Sequence, residues 1–216
     1  MKRFAVALIT ILINLSVFAQ VGDINQLLHD ADSLKTVAPN TFDYVLALDA
    51  VASHYFTSGD YKTALPYREE CLKVITQQRD ESDNAVLLIK TFLADTYSRL
   101  DRHKDAIDLY LECAGIYAKE IPPREDYFYA LNGLVVEYCL LDDIPSAIQY
   151  RSQAANLVHR LYGVGEQYAR QKWLQGELLA TNNQHEAAIK CFDESKTILE
   201  QQGETDSETY VQLLKD

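Results

Sequence analysis

Apolar side chains return every three or four residues over almost the whole chain, and short polar turns cut the stretches that carry them. That spacing lays an apolar stripe along one face of a helix and leaves the other face polar. It predicts helices at about 43–57, 61–79, 84–99, 103–119, 125–140, 144–161, 166–181 and 185–201. An earlier stretch, 23–36, carries Ile24, Leu27, Leu28, Ala31 and Leu34 at the same spacing and predicts an opening helix that caps the row. Pro39, Asn40 and Thr41 end it. From Ser207 to Asp216 the pattern predicts one more helix, either a C-terminal cap or the first half of a repeat without its mate.

The breaks are of two kinds. Tight turns fall at Ser58, Gly59, Asp60; at Leu100, Asp101, Arg102; at Leu141, Asp142, Asp143; and at Asn182, Asn183, Gln184. Asp and Asn accept hydrogen bonds from the free N–H groups of a helix start, so they are expected to open the second helix of each pair. Asn183, with Glu186 three residues on, is close to a capping box. Longer breaks fall at 79–83, at 121–124 with Pro122 and Pro123, and at Gly163 to Gly165. There Pro and Gly stop the preceding helix.

The pairs repeat. An aromatic residue stands nine before an alanine, Leu or Ile follows that alanine, and a small residue comes seven after it. Tyr55, Ala64, Leu65 and Cys71 fit; so do Tyr97, Ala106, Ile107 and Cys113, and Tyr138, Ala147, Ile148 and Ala154. Leu179, Ala188, Ile189 and Ser195 fit with Leu in the aromatic place. The four alanines lie 42, 41 and 41 residues apart. Two antiparallel helices approach to ~8–10 Å only where small side chains meet. These alanines supply the contact from the second helix, and Ala52, Ala94, Val135 and Gly176, each twelve residues upstream, supply it from the first. One such pair cannot bury its apolar face alone, so neighbours must stack.

This pattern resembles the tetratricopeptide repeat family, on Gly59, Asp60 and Tyr61 with Ala64, on the Tyr55, Tyr97 and Tyr138 column, and on the small column seven after each alanine. The common period there is ~34 residues. The longer period of this chain is similar to the variety found in kinesin light chains, and Ala130 to Tyr138 is similar to that variety's first helix, with Asn132 on its leading Asn. The family's opening Trp is replaced by Leu48, Lys90, Leu131 and Lys172, and its helix-one Gly survives only as Gly176. The resemblance implies an all-α, right-handed α-solenoid of stacked antiparallel helix pairs. Its repeats are expected at about 43–82, 83–124, 125–165 and 166–204, with capping helices at about 23–36 and 205–216.

Composition adds limits. A chain of 216 residues that is 48% hydrophobic can bury a sizeable core in one domain, and 5 Pro and 8 Gly leave little room for a long disordered linker. The net charge of −12 comes without a basic stripe, which argues against nucleic acid as a partner. At the N-terminus, Lys2 and Arg3 precede an apolar run from Phe4 to Ala19, with Val17, Phe18 and Ala19 forming a small-x-small cleavage site before Gln20. This reads as a secretory signal peptide over 1–19 of a bacterial protein destined for the periplasm or the medium. An uncut anchor would want ~20 apolar residues, and no Cys near the cleavage point offers a lipoprotein site.

Catalytic and metal chemistry finds little footing. Cys71, Cys113, Cys139 and Cys191 include no C-x-x-C, and Cys71 and Cys113 share one column, about one helix-pair step apart and beyond the ~7 Å reach of a disulfide. They read as small buried residues. His185 and Glu186 start an H-E-x-x-H pattern, but Ile189 stands in the second ligand place. Gly163, Val164 and Gly165 form a bare G-x-G after a helix rather than a strand. No enzyme activity and no cofactor are expected.

A partner is expected instead. In the resembled family, ligand contacts come from inward residues of the first helices. The resemblance places these at Leu46, Asp49, Ser53 and Phe56; at Leu88, Thr91, Asp95 and Ser98; at Tyr129, Asn132, Val136 and Cys139; and at Arg170, Trp173, Glu177 and Ala180. Asn132 would hydrogen-bond the backbone of an extended peptide. Trp173, the only Trp, would form an interface centre with Arg170 and Tyr129, or else pack against repeat three or the capping helix. Asp49, Asp95 and Glu177 would make the groove partly acidic and favour a basic or neutral partner. The expected function is a non-catalytic adaptor that holds a protein or peptide segment. The alternative is a sensory or regulatory subunit whose Tyr129 and Trp173 stack on a glycan or other small ligand.

Overall fold

The structure, a computed structural model, describes residues 23–213. The expected signal peptide at 1–19 lies outside the described residues. Ten helices follow one another, with no strand among the described residues: α1 (Ile24–Val37), α2 (Phe42–Thr57), α3 (Tyr61–Ile75), α4 (Asn84–Arg99), α5 (His103–Tyr117), α6 (Glu125–Leu140), α7 (Ile144–Tyr162), α8 (Glu166–Thr181), α9 (His185–Gln202) and α10 (Glu208–Leu213). The all-α expectation holds, and α2 to α9 pair as the periodicity predicts.

The tight turns explain the pairing. Gly59, Asp101, Asp142 and Asn183 stand five residues before the four alanines, and all four have positive φ, between 58° and 84°. Only Gly, Asn and Asp take that left-handed conformation at low cost. The following residue then donates its N–H back to the first helix: Asp60 to Tyr55 O at 2.9 Å, Arg102 to Tyr97 O at 2.9 Å, Asp143 to Tyr138 O at 2.9 Å and Gln184 to Leu179 O at 2.8 Å. This six-to-one bond closes a helix end and reverses the chain. Asp60 and Asp143 then cap the next helix through Thr63 N at 3.1 Å and Ser146 N at 3.2 Å. Asn183 does not: the cap residue of α9 is Gln184, which makes no side-chain cap bond. The expected capping box is absent because Asn183 is committed to the left-handed turn. α3 also stops at Ile75 rather than 79. Thr76 there turns its hydroxyl onto Leu72 O at 2.8 Å, competing with the helix ladder for that carbonyl.

The chain divides into two units, meeting at Ile116 and Tyr117. In the first, α1 packs on α2, α2 on α3 and α3 on α4. Its core gathers Tyr44, Val45, Leu48, Cys71, Val74, Ile75, Val86 and Ile89, with Leu34 of the capping helix against it. In the second, α6 packs on α7, α7 on α8 and α8 on α9. Leu131, Ala154 and Leu157 form one cluster there, and Val135, Ala147 and Leu178 another. Helix α10 lies on α8 and α9, where Tyr210 and Leu213 meet Ala169, Ile198 and Leu199.

The small-residue columns are where the helices touch. Ala64, Ala106, Ala147 and Ala188 are all buried, as are Ala52, Ala94, Val135 and Gly176. The column seven residues later does more than leave room. Cys71 Sγ donates to Val45 O at 3.5 Å, Cys113 Sγ to Leu87 O at 3.5 Å and Ser195 Oγ to Ala169 O at 2.7 Å. Each bond ties the second helix to a first-helix carbonyl 26 residues back. Repeat three has Ala154 at this place and no donor. Its equivalent carbonyl, Phe128 O, takes the Asn132 Nδ2–H instead, at 3.0 Å.

Candidate functional site

The expected contact residues fall into rows counted back from each alanine. Eighteen back stand Leu46, Leu88, Tyr129 and Arg170, and this row is open. Leu46 is 52%, Leu88 44% and Tyr129 49% exposed, and Arg170 is half-buried. Fifteen back stand Asp49, Thr91, Asn132 and Trp173, and this row is closed: all but the half-buried Asp49 are buried. Eleven back, Ser53, Asp95, Val136 and Glu177 are half-buried, and so is Phe56 three residues beyond Ser53.

Asp49 and Asn132 of the inner row are covered by a column that the spacing of small residues does not reveal. Four residues after each alanine stand Arg68, Tyr110, Arg151 and Phe192. Each is long, and each reaches back across the first helix of its own pair. The Arg68 guanidinium donates to the Asp49 carboxylate, and its Nη2 donates to Ser53 Oγ at 3.0 Å. The same guanidinium sits 4.6 Å from the Phe92 ring centroid. Burial pushes the Asp49 carboxyl up from its ordinary value, and the charge and hydrogen bond of Arg68 offset only part of that. Tyr110 donates its hydroxyl to the Asp95 carboxylate. Arg151 Nη1 donates to Asn132 Oδ1 at 2.7 Å. Phe192 lies against Gly176, so closely that a Cβ there would meet ring carbons at 2.4 and 2.7 Å. The signal was present in the sequence: two arginines, a tyrosine and a phenylalanine at one place of a repeat whose small residues are the more conspicuous feature.

Several expectations change with that column. Trp173, expected either as an exposed interface centre or packed against a neighbour, is 6% exposed and so takes the packed alternative. It occupies the closed row, so Arg170 and Tyr129 stand at the surface without it. Asn132 is engaged twice inside the protein, by Arg151 at Oδ1 and by Phe128 O at Nδ2. Thr91 turns its hydroxyl onto Leu87 O at 2.9 Å. The acidic character expected from Asp49 and Asp95 is largely spent within the chain, on Arg68 and Tyr110. The cysteines are all free, and burial pushes Cys71 up to about 12 and Cys113 to about 11, which makes them poor nucleophiles.

Large apolar or aromatic side chains thus stand at the surface in each unit: Leu46 and Leu88 in the first, Tyr129 in the second. Side chains of this kind are able to anchor a partner.

Comparison with known proteins agrees on the architecture. The tetratricopeptide repeat family model matches residues 44–119. No curated protein sequence matches the chain. Among solved structures, the kinesin light chain TPR-like repeats of Podospora anserina superpose with a TM-score of 0.73 at 14% identity, covering 84% of this chain and 87% of that one. BtubC (BKLC) of P. vanneervenii follows at 0.67 and 19% identity, covering 84% of this chain and 73% of that one. Bacillus thuringiensis PlcR, in complex with the peptide PapR7 and DNA, reaches 0.55 at 12% identity, covering 92% of this chain and 69% of that one. At these identities the likeness is one of fold. With the repeated alanines and the left-handed turns, it gives the chain the fold of stacked tetratricopeptide-like helix pairs, and residues 44–119 carry the sequence match to that family's model.

Proposed function

We propose that the chain is a non-catalytic scaffold that holds a protein or peptide segment on the faces made by the first helices of its repeats. The observation that carries this reading is the open row of Leu46, Leu88 and Tyr129, all more than 40% exposed at one place of successive repeats. A single exposed leucine is ordinary, but a repeated one marks a surface kept apolar for contact. Tetratricopeptide folds generally serve protein interaction, and PlcR, similar in fold, is known in complex with a peptide. The glycan-binding alternative wanted two aromatic platforms and retains only Tyr129 at the surface. The basic start and apolar run before Gln20 support export, with the scaffold working in the periplasm or outside the cell. N-terminal sequencing of the protein recovered from cells would show Gln20 as its first residue.

Photo-crosslinking tests the binding face directly. A photoreactive amino acid is placed at Leu88 or Tyr129, and in control proteins at Asp108 or Asn156, which are exposed on second helices. Discrete adducts from the first pair alone are expected in living cells. Adducts of equal strength from both pairs, or none from Leu88 and Tyr129, would remove the reading.

A further inference from the structure

Helix α1 has the place of a second helix, with no first helix before it among the described residues. In each of the four repeats the alanine and the residue seven after it are buried, and Cys71, Cys113 and Ser195 bond from there to the first helix of the same pair. In α1 these two places fall on Leu27 and Leu34, three and ten residues past Ile24, as Ala64 and Cys71 stand past Tyr61 in α3. Both leucines are only half-buried. With Leu46, Ala47 and Ala50 of α2 they line an open groove of about 450 Å³. The face that a first helix covers in every full pair is uncovered here among the described residues.

The sequence ahead of α1 keeps the register of the repeat. Each first helix is 16 residues long and starts 22 residues before its alanine, at Phe42, Asn84, Glu125 and Glu166. The apolar run Phe4 to Ala19 is also 16 residues long, and it starts 23 before Leu27. Phe18 stands nine before Leu27, the aromatic place of Tyr55, Tyr97 and Tyr138. Gly22 stands five before it, the place of Gly59 and the other left-handed turn residues. Asp23 stands four before it and caps α1 through Asn25 N at 3.0 Å, as Asp60 caps α3 through Thr63 N at 3.1 Å. Leu8, Ile11 and Leu15 take the places of Val45, Leu48 and Ala52, all buried in α2. An export signal needs a basic start, an apolar run and small residues before the cleavage point. It has no use for Phe18, Gly22 and Asp23 at these intervals.

We propose that the groove between α1 and α2 is the seat of the chain's own segment Phe4 to Ala19, which docks there as the first helix of an opening repeat while it remains attached. Its apolar stripe leaves water for an apolar face, which is the driving force that joins every other pair. Residues 20–22 match the three-residue length of the turn at Ser58 to Asp60. Cleavage before Gln20 removes the occupant and opens the groove, so the exported protein presents an apolar end that its precursor covers. The inference goes beyond the scaffold reading, because this seat is filled from within the chain and takes no partner.

The test uses the full chain made by cell-free synthesis without membranes, where no peptidase removes the segment. A photoreactive amino acid at Leu46 is expected to form adducts with residues 4–19 of the same chain, located by mass spectrometry of the digest. One at Leu88, in the same open row of the next repeat, is expected to form none with that segment. Leu15→Asp sets a carboxylate on the docking stripe, outside the described fold, and burying it there is costly. It is expected to abolish the Leu46 adducts and to speed amide exchange in α1 about tenfold or more. No adducts from Leu46, adducts only between chains, equal adducts from Leu88, or α1 exchange unaltered by Leu15→Asp would each overturn the proposal. The export reading is judged apart from it. If the cellular protein starts at Gln20 and Leu46 yields no adducts in the full chain, export stands and the seat falls. If the cellular protein keeps its first residues and the adducts form, export falls and the seat is filled permanently.

Discussion

At the scale of single residues, closeness between paired helices is set by what is missing from a side chain. Gly176 shows this most sharply, because the Phe192 ring fills the space its Cβ would take. In an open helix, Gly→Ala is stabilising by roughly 0.5–1 kcal/mol, since glycine has more conformational freedom to lose on folding. Here the sign should reverse. Gly176→Ala drives a methyl into the ring, and overpacking costs of about 1–3 kcal/mol exceed the propensity gain. Urea denaturation should therefore show a less stable protein. In a Phe192→Ala background the clash is gone, and the same Gly176→Ala change should become neutral or stabilising. A change of equal size in both backgrounds would mean that the ring and the glycine do not meet.

At the scale of helices and turns, most of the fold was legible from the sequence, and the reason is local chemistry. Gly59, Asp101, Asp142 and Asn183 stand where the backbone must turn left-handed, and those residue types mark that place in any sequence. The alanine column was legible because small residues recurring at a fixed period answer one physical need, the close approach of paired helices. The closed inner row was not. The family resemblance implies a binding-wall place for Asp49, Asn132 and Trp173, and it says nothing of what covers them in this chain. For Asp49 and Asn132 the cover comes from the second helix, and whether Arg68 or Arg151 reaches back depends on side-chain length and on the partner it meets 15 or 19 residues earlier. Helix starts were easier, and one carries a pH prediction. Asp83 caps α4 by accepting from Ala85 N at 2.8 Å, and it pairs with Arg79 at 3.0 Å. The backbone N–H of Ala85 first, and Arg79 after it, hold the Asp83 carboxyl below its ordinary value. A carboxyl depressed in the folded state stabilises the protein above its unfolded value and loses that stabilisation as pH falls through the folded one. Asp83→Ala should lower Tm at neutral pH, and the gap to the parent protein should close as pH drops below the ordinary carboxylate range. A gap that persists unchanged in acid would assign the loss to something other than the charged cap.

At the scale of the whole molecule, a stack of helix pairs has few contacts between residues far apart in sequence, so its stability is close to a sum of pairs and nearest-neighbour interfaces. The two units fit this picture, each with its own apolar clusters. Damage to one pair should then be felt mainly by its neighbours. Ala147→Leu is the sharpest such damage: Ala147 is fully buried beside Val135 and Leu178 on the two flanking first helices. Three extra carbons have no room there, at a cost of about 1–3 kcal/mol. Hydrogen exchange reads this helix by helix, because amide protection follows the free energy of local opening. In the parent protein, the six-residue α10 should exchange before the helices it covers. In Ala147→Leu, amides of α6, α7 and α8 should exchange about tenfold faster or more, since about 1.4 kcal/mol is a factor of ten. Those of α2, α3 and α4, in the other unit, should change little. Equal acceleration in every helix would mean that the array opens as one cooperative body, and the contact energies of its repeats could no longer be treated as local.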